Sequence, residues 1–267
     1  MLLSSSQSPA AYRLKSEKHM IPHLQGLHHV TAFAGPAPEN NTFFTDTLGL
    51  RRVKTTVNFD NPYVYHLYFG DKHGTPGTVM THFPDRKWRQ GQRGTGEVAV
   101  TAFTVPRGSL SEWEKRLPES TRTQVFGEAQ LGFPGPEGTT TRLTMDAPVG
   151  VIDVMAAPDM PKSVEGAGSV HHIAFATPND DTLVAIREAV IDAGLKPTEV
   201  RDRNYFHSFY FREPGGVLFE VATLDIGFDA DEPVATLGDA LKLPPQHEHL
   251  RSELVKTLEP IDGLDLS

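Results

Sequence analysis

Leu27-His28-His29-Val30-Thr31 and Val170-His171-His172-Ile173-Ala174 are two copies of one pattern, a histidine pair inside a short apolar run. Each copy follows a glycine, Gly26 or Gly168, and precedes small residues and a phenylalanine. A lone histidine on an apolar strand is ordinarily a core residue whose nitrogens are hydrogen-bonded. Two pairs at matching places in two repeats point instead to metal ligation, because neutral imidazole is the commonest metal-binding side chain. Successive strand residues point to opposite faces, so the pair is expected to place one ring on each face. A ligand and a supporting partner is one economical use of such a pair.

The pattern belongs to a longer repeat. Gly26-Leu27-His28-His29-Val30-Thr31-Ala32-Phe33 aligns without a gap on Gly96-Glu97-Val98-Ala99-Val100-Thr101-Ala102-Phe103, and a third copy starts near Ser169. The middle copy has Val98 and Ala99 where the others have histidines. The repeat is therefore a fold unit, and the metal chemistry is an addition to its first and third copies. Each first strand leads into a helix. Glu39 to Leu48 carries Phe43, Phe44 and Leu48, and Gly49 stops it. Ser109-Leu110-Ser111-Glu112 reads as a capping box ahead of Trp113 and Leu117. Pro178 to Ala193 carries Leu183, Ile186, Val190 and Ile191, with Gly194 behind.

Strands follow each helix: Tyr63–Phe69 and Thr78–Phe83 in the first copy, His207–Phe211 and Val217–Thr223 in the third. Gln124–Phe126, Thr139–Met145 and Val149–Met155 are the candidates in the middle. The fold class is thus α+β, with three tandem βαβββ modules. The boundaries fall at 1–22 for a disordered leader, 23–88, 94–160 and 166–225 for the modules, and 226–267 for a C-terminal tail with a helical end near Glu248–Thr257.

Composition limits the function. The chain has 267 residues, a net charge of −9, 12 histidines and no cysteine. An acidic balance lacks the basic footprint of a nucleic-acid binder, and no apolar run is long enough to span a membrane. Without cysteine there is neither a disulfide framework nor a thiolate ligand, so a metal must be held by His, Asp, Glu or Tyr. A cytoplasmic location is the default expectation.

The βαβββ repeat, with a histidine on its first strand and Glu220 on its last, resembles the vicinal oxygen chelate superfamily of glyoxalases and extradiol dioxygenases. Further stretches narrow the resemblance to the ring-cleaving dioxygenases that act on hydroquinones: Lys54-Thr55-Thr56-Val57-Asn58-Phe59-Asp60, Tyr65-His66-Leu67-Tyr68-Phe69-Gly70-Asp71, Tyr210-Phe211-Arg212-Glu213-Pro214-Gly215-Gly216-Val217-Leu218-Phe219-Glu220 and Leu241-Lys242-Leu243-Pro244-Pro245. That resemblance implies mixed sheets curled around a metal site and an enzyme that opens a para-dihydroxylated ring with O2, using Fe(II) or alternatively Mn(II), Zn(II) or Ni(II). Members of that family have four modules and this chain has three. Phe133-Pro134-Gly135-Pro136-Glu137-Gly138 looks like the end of the family's second module and Val149 to Pro161 like the end of its third, so the middle reads as a fused hybrid.

His29, His172 and Glu220 form a set of two histidines and a carboxylate that suits non-haem iron with open positions. The resemblance implies His28, Thr31, His171, Arg203 and Tyr210 around them. His28 or His171 would take a proton or orient a ligand, Arg203 would hold a distal substrate oxygen, and Tyr210 would donate to bound oxygen. Two residues compete for ligand status. Asp153 could mimic Glu220 in the middle module but has Ala99 in place of its histidine. His82 stands as far beyond Pro76 as Glu220 stands beyond Pro214, and a fourth ligand there is what a glyoxalase-type isomerase would have. Two other functions remain open beside ring cleavage: such an isomerase or lyase, and a non-catalytic small-molecule-binding protein of the same fold. A middle module without a pairing partner leaves an apolar run such as Val149–Met155 open, which predicts a homodimer.

Overall fold

The computed structural model describes residues 24–125, 128–136, 140–145, 152, 154 and 156–266. The expected leader and Asp153 lie outside the described residues. Three βαβββ runs follow one another. The first is β1 (Leu27–Ala34), α1 (Ala37–Thr42, continued by a π-helical turn over Phe43–Thr47), β2 (Arg51–Val57), β3 (Tyr65–Gly70) and β4 (Val79–Pro84). The second is β5 (Val100–Val105), α2 (Leu110–Arg116), β6 (Thr121–Val125), β7 (Glu128–Pro134) and β8 (Thr140–Met145). The third is β9 (Val170–Thr177), α3 (Asp180–Asp192), β10 (Arg201–Asp202), β11 (His207–Arg212) and β12 (Leu218–Thr223).

The outer two modules form one sheet of eight strands in the order β10-β11-β12-β9-β1-β4-β3-β2, and the middle module forms its own sheet in the order β5-β8-β7-β6. The join between modules is the antiparallel pair β1–β9, the two strands that carry the histidine pairs. Within each outer module the first and last strands run parallel, β1 with β4 and β9 with β12. A βαβββ chain needs this crossover to bring its closing strand beside its opening one.

Local chemistry explains the helices, with two departures from the sequence reading. The Ser109 capping box does not form. Ser109 has helical dihedrals, and its hydroxyl donates to the Pro106 carbonyl at 2.7 Å instead. The third helix starts at Asp180 rather than Pro178, because Asn179 and Thr182 make the reciprocal cap. Gly49 and Gly194 stop their helices at positive φ, 73° and 83°, as expected.

In the middle module β7 is a strand that the sequence reading missed, and Thr140–Met145 closes the sheet. Of Val149–Met155 only Ile152 and Val154 are described; both are exposed and neither lies in a strand. The apolar side chains of the middle sheet, Leu131, Phe133 and Leu143, are buried in a core cluster that also holds Phe44 and Leu48 of the first module.

The tail completes that cluster with Leu241, Leu243, Leu254, Leu258 and Ile261. It ends in α4 (Arg251–Thr257), preceded by a 3-10 turn over Pro245–Leu250. Before reaching the core it crosses the mouth of the large sheet. There the fully buried ammonium of Lys54 meets Asp231 at 2.6 Å and also Glu232, and the Arg51 guanidinium donates to the carbonyls of Val234, Ala235 and Leu237. A buried lysine is tolerable only with such partners. Among the described residues no helix is long and apolar enough to cross a membrane.

Candidate metal centre

The join β1–β9 brings the two histidine pairs face to face, and β12 lies on the far side of β9. His29 Nε2 is 3.2 Å from His172 Nε2, and Glu220 Oε2 is 3.2 Å from the first and 2.8 Å from the second. All three side chains are buried, at 1%, 3% and 0% exposure. One ligand atom from each lies within 4.8 Å of the others. Burial alone opposes ionisation of Glu220, but His172 and His29 outweigh it and hold the carboxyl well below the usual range.

The partner histidines are placed by β-bulges. Along β1–β9, Leu27 pairs with Phe175 and His29 with Ala174, so His28 is an extra residue on its strand. Thr31 pairs with His172 and Ala32 with Val170, which makes His171 the extra residue on the other. A bulge re-aims the side chain it adds. The two rings of each pair therefore meet edge to face, at interplanar angles of 81° and 72°, rather than pointing to opposite sides. His28 Nδ1 lies 2.9 Å from His29 Nδ1, and His171 Nδ1 lies 2.7 Å from His172 Nδ1.

These contacts fix which nitrogen of each ligand is free. His28 donates from its other nitrogen to the Thr223 carbonyl. Burial first, then the neighbouring His29, pushes its pKa down to about 3, so the ring is neutral. Its Nδ1 then accepts from His29 Nδ1–H, and His29 Nε2 is the nitrogen left to face His172 and Glu220. His171, also pushed to about 3 by burial and by His172, does the same for His172. Replacing His28 or His171 with alanine is therefore expected to weaken metal affinity about 10–100-fold without abolishing it. Competition with a chelator of known affinity measures this; affinities equal to wild type would deny the histidines that role.

Neither Glu220 oxygen has a hydrogen-bond partner of good geometry among the described residues. A fully buried carboxylate beside the Nε2 atoms of two imidazoles is a donor set that a divalent cation completes, so the residues present fit a metal. Residues 26–221 match the glyoxalase/bleomycin resistance protein/dioxygenase superfamily.

The chain belongs to that superfamily.

Within the superfamily, two similar proteins of Bacillus subtilis (strain 168) carry the names "Putative ring-cleaving dioxygenase MhqO" and "Putative ring-cleaving dioxygenase MhqE". The first is 35% identical over 312 residues, covering 92% of this chain and 100% of the relative. The second is 38% identical over 299 residues, covering 88% and 98%. Both lengths exceed the 267 residues here, so these relatives carry stretches without a counterpart in this chain. The chlorohydroquinone/hydroquinone 1,2-dioxygenase of Sphingobium indicum is 30% identical, covering 89% and 97%. A crystal structure of a "putative dioxygenase" from Bacillus subtilis subsp. subtilis str. 168 superposes with a TM-score of 0.83 at 33% identity, covering 91% of this chain and 99% of that one.

The superfamily's repeat symmetry corrects the reading of His82. In the third module Glu220 pairs with Ala174 of β9, two strand positions beyond the level of His172; in the first, the residue two positions beyond His29 is Thr31, and its β4 partner is Thr81. Thr81, not His82, is the counterpart of Glu220. His82 points the other way, its ring centroid 4.3 Å from Phe44 in the apolar core, and is not a fourth ligand. The count from the two prolines fails because β4 starts at Val79 while β12 starts at Leu218, so the first turn is one residue shorter.

The remaining site residues surround the triad. Thr31 is fully buried with Oγ1 2.8 Å from His172 Nε2. Arg203 packs over the rings of Phe59 and Tyr210, at 5.3 and 5.6 Å, and pairs with Asp60 at 3.2 Å. Tyr210 lies on β11 directly beside Glu220 on β12, and its ring meets that of His172 edge to face. Burial, then the Glu220 charge, pushes its hydroxyl pKa far up, so it remains a proton donor. The sequence reading missed Phe206, whose ring covers His28 and His29 at 5.0 and 5.4 Å. It also missed His66, Tyr68 and Thr81, which form a buried polar group beside Thr31. A polar residue at alternate positions of an otherwise apolar β3 was the available signal.

Proposed function

We propose that the chain is an Fe(II)-dependent, extradiol-type dioxygenase that opens hydroquinone-like aromatic rings with O2. One observation carries the reading: two histidines and a glutamate converge from two modules, and each histidine has its second nitrogen held by a partner histidine. Iron at such a set supplies a Lewis acid for a substrate hydroxyl and electrons for O2, with coordination positions left open. The names of the relatives, ring-cleaving and hydroquinone dioxygenases, support the substrate class.

The chain's own groups supply the rest. Phe206 gives an apolar wall above the ligands and excludes water from them. Tyr210 holds a hydroxyl proton ready for a hydrogen bond to oxygen. Arg203 shares Asp60 with Arg201 and packs over the Tyr210 ring, so it orients Tyr210 and faces a polar ring substituent. A glyoxalase-like isomerase would take its fourth ligand from the first module, and Thr81 at that position is a poor one. The homodimer expected from an uncovered middle sheet loses that basis, because the first module and the tail cover the sheet's apolar side chains.

The test is oxygen uptake when hydroquinone is added to protein loaded with Fe(II) without air. Uptake that depends on both iron and substrate is expected; an inert loaded protein would reject the reading. Tyr210→Phe is expected to keep its iron and to turn over about 10–100-fold more slowly. Loss of iron in that variant would place Tyr210 among the ligands instead.

A further inference from the structure

A ring diol that binds a metal through a hydroxyl must lose that proton, and the site needs a group to receive it. The two histidines that first suggest themselves are already committed. His28 and His171 turn their Nδ1 atoms to the ligands, and their accepting lone pairs are used there. One other histidine faces the same side of the sheet. His66 on β3 is buried, with Nε2 2.9 Å from Thr81 Oγ1 and Nδ1 2.8 Å from the Tyr68 hydroxyl. Thr81 Oγ1 lies 2.7 Å from Thr31 Oγ1, which reaches the triad. Tyr68, Thr81 and Thr31 are each 0% exposed. Every member of this row has a partner, and the row is buried along its length.

We propose that His66 receives the substrate's hydroxyl proton through Thr81 and Thr31, and that Tyr68 sets the tautomer that lets it do so. This rests on the ring-cleavage reading of the site. Tyr68 accepts from Nδ1–H of neutral His66, which leaves the Nε2 lone pair toward Thr81. The substrate hydroxyl gives its proton to Thr31 Oγ1, Thr31 gives its own to Thr81, and Thr81 gives its own to His66 Nε2. The products are a substrate oxyanion and an imidazolium, so charge and protons balance, and the reverse sequence returns the proton to a product oxygen. The groups facing His66 are Tyr68 on its own strand, Thr81 and the Phe83 ring of β4, and at longer range His29, His172, Arg203 and Glu220. Burial first, then His29, His172 and Arg203, keeps the resting ring neutral; the Glu220 charge opposes them, and the oxyanion formed by the transfer adds to that opposition. His66 acts through the threonines, so it is a positioning and relay residue rather than a contact of the substrate.

The experiment uses protein loaded with Zn(II), free of O2, and nitrohydroquinone as a probe whose absorption reports its ionisation. Wild type is expected to bind the probe as its anion at a pH where the free probe is neutral. In His66→Gln and in Thr81→Val, the pH at which the bound probe ionises should rise by about one unit, a tenfold loss. Thr81→Ser restores the hydroxyl and should recover most of that loss relative to Thr81→Val. Only variants that retain Zn(II) as wild type does are compared, which separates the relay from collapse of the site; if His66→Gln does not fold, the two Thr81 variants decide. Ionisation at the wild-type pH in His66→Gln and Thr81→Val overturns the proposal while leaving the ring-cleavage reading standing. Wild type that neither binds the probe nor, with iron, takes up oxygen rejects both.

Discussion

Alanine in place of His29, His172 or Glu220 is expected to abolish metal retention, each substitution alone. The three ligand atoms face one small volume, and removing one of three leaves too few donors to hold a labile divalent ion against water. The loss at Glu220 has a second cause. Without its carboxylate the buried site has no negative charge to offset a dication, and none of the surrounding groups, Thr31, Tyr210 and Phe206, provides one. The contrast with His28→Ala and His171→Ala, which weaken binding without ending it, separates ligands from the groups that orient them. Metal analysis of purified, gel-filtered variants reads the result, and near-stoichiometric metal in any one of the three would remove that residue from the triad.

Mild acid is expected to unfold the metal-free protein. His28, His82 and His171 are held neutral by burial, with folded pKa values of about 3 against 6.5 for the free side chain. Buried His66 shifts in the same direction. Below 6.5 the unfolded chain binds protons at these residues and the folded chain does not until about 3. Stability is therefore complete above 6.5 and falls as the pH falls between those values. Each unit costs about 1.4 kcal/mol per histidine, so the three together remove about 4 kcal/mol per unit from a total of roughly 5–15 kcal/mol. Glu220 adds to this at lower pH, because its depressed pKa makes its ionisation a stabilising term that acid withdraws. Urea midpoints at neutral pH and near pH 5.5 test the claim. A large drop is expected, and His82→Phe should relieve about a third of it, the share of one histidine in three; equal midpoints would mean that these rings are charged or solvated in the folded chain.

Much of the site was legible because the signal was doubled. One histidine pair could be core, but two pairs in register across a repeat imply that β1 and β9 meet, and they do. Glu220 was legible because its strand is otherwise apolar and a carboxylate there needs partners. The repeat also gave the element order, since each module's helix and closing strand follow the same cues. What escaped was register. A period-two reading sends neighbouring histidines to opposite faces, but the bulges at His28 and His171 break the period beside the two candidate ligands. His82 failed as a ligand for the same reason, a one-residue difference in turn length that moves a side chain to the other face. His66 gave only the weak signal of a polar residue in an aromatic strand that reads equally well as core, and only its two hydroxyl neighbours, Tyr68 and Thr81, show what it can do.

The most direct measurement is the fate of labelled oxygen. Protein loaded with Fe(II) is mixed with hydroquinone under heavy-isotope O2, and the product is trapped and weighed by mass spectrometry. Ring cleavage by a dioxygenase predicts a ring-opened product that contains both atoms of the labelled O2. A quinone that carries no label, or a ring-opened product labelled only from water, would contradict it.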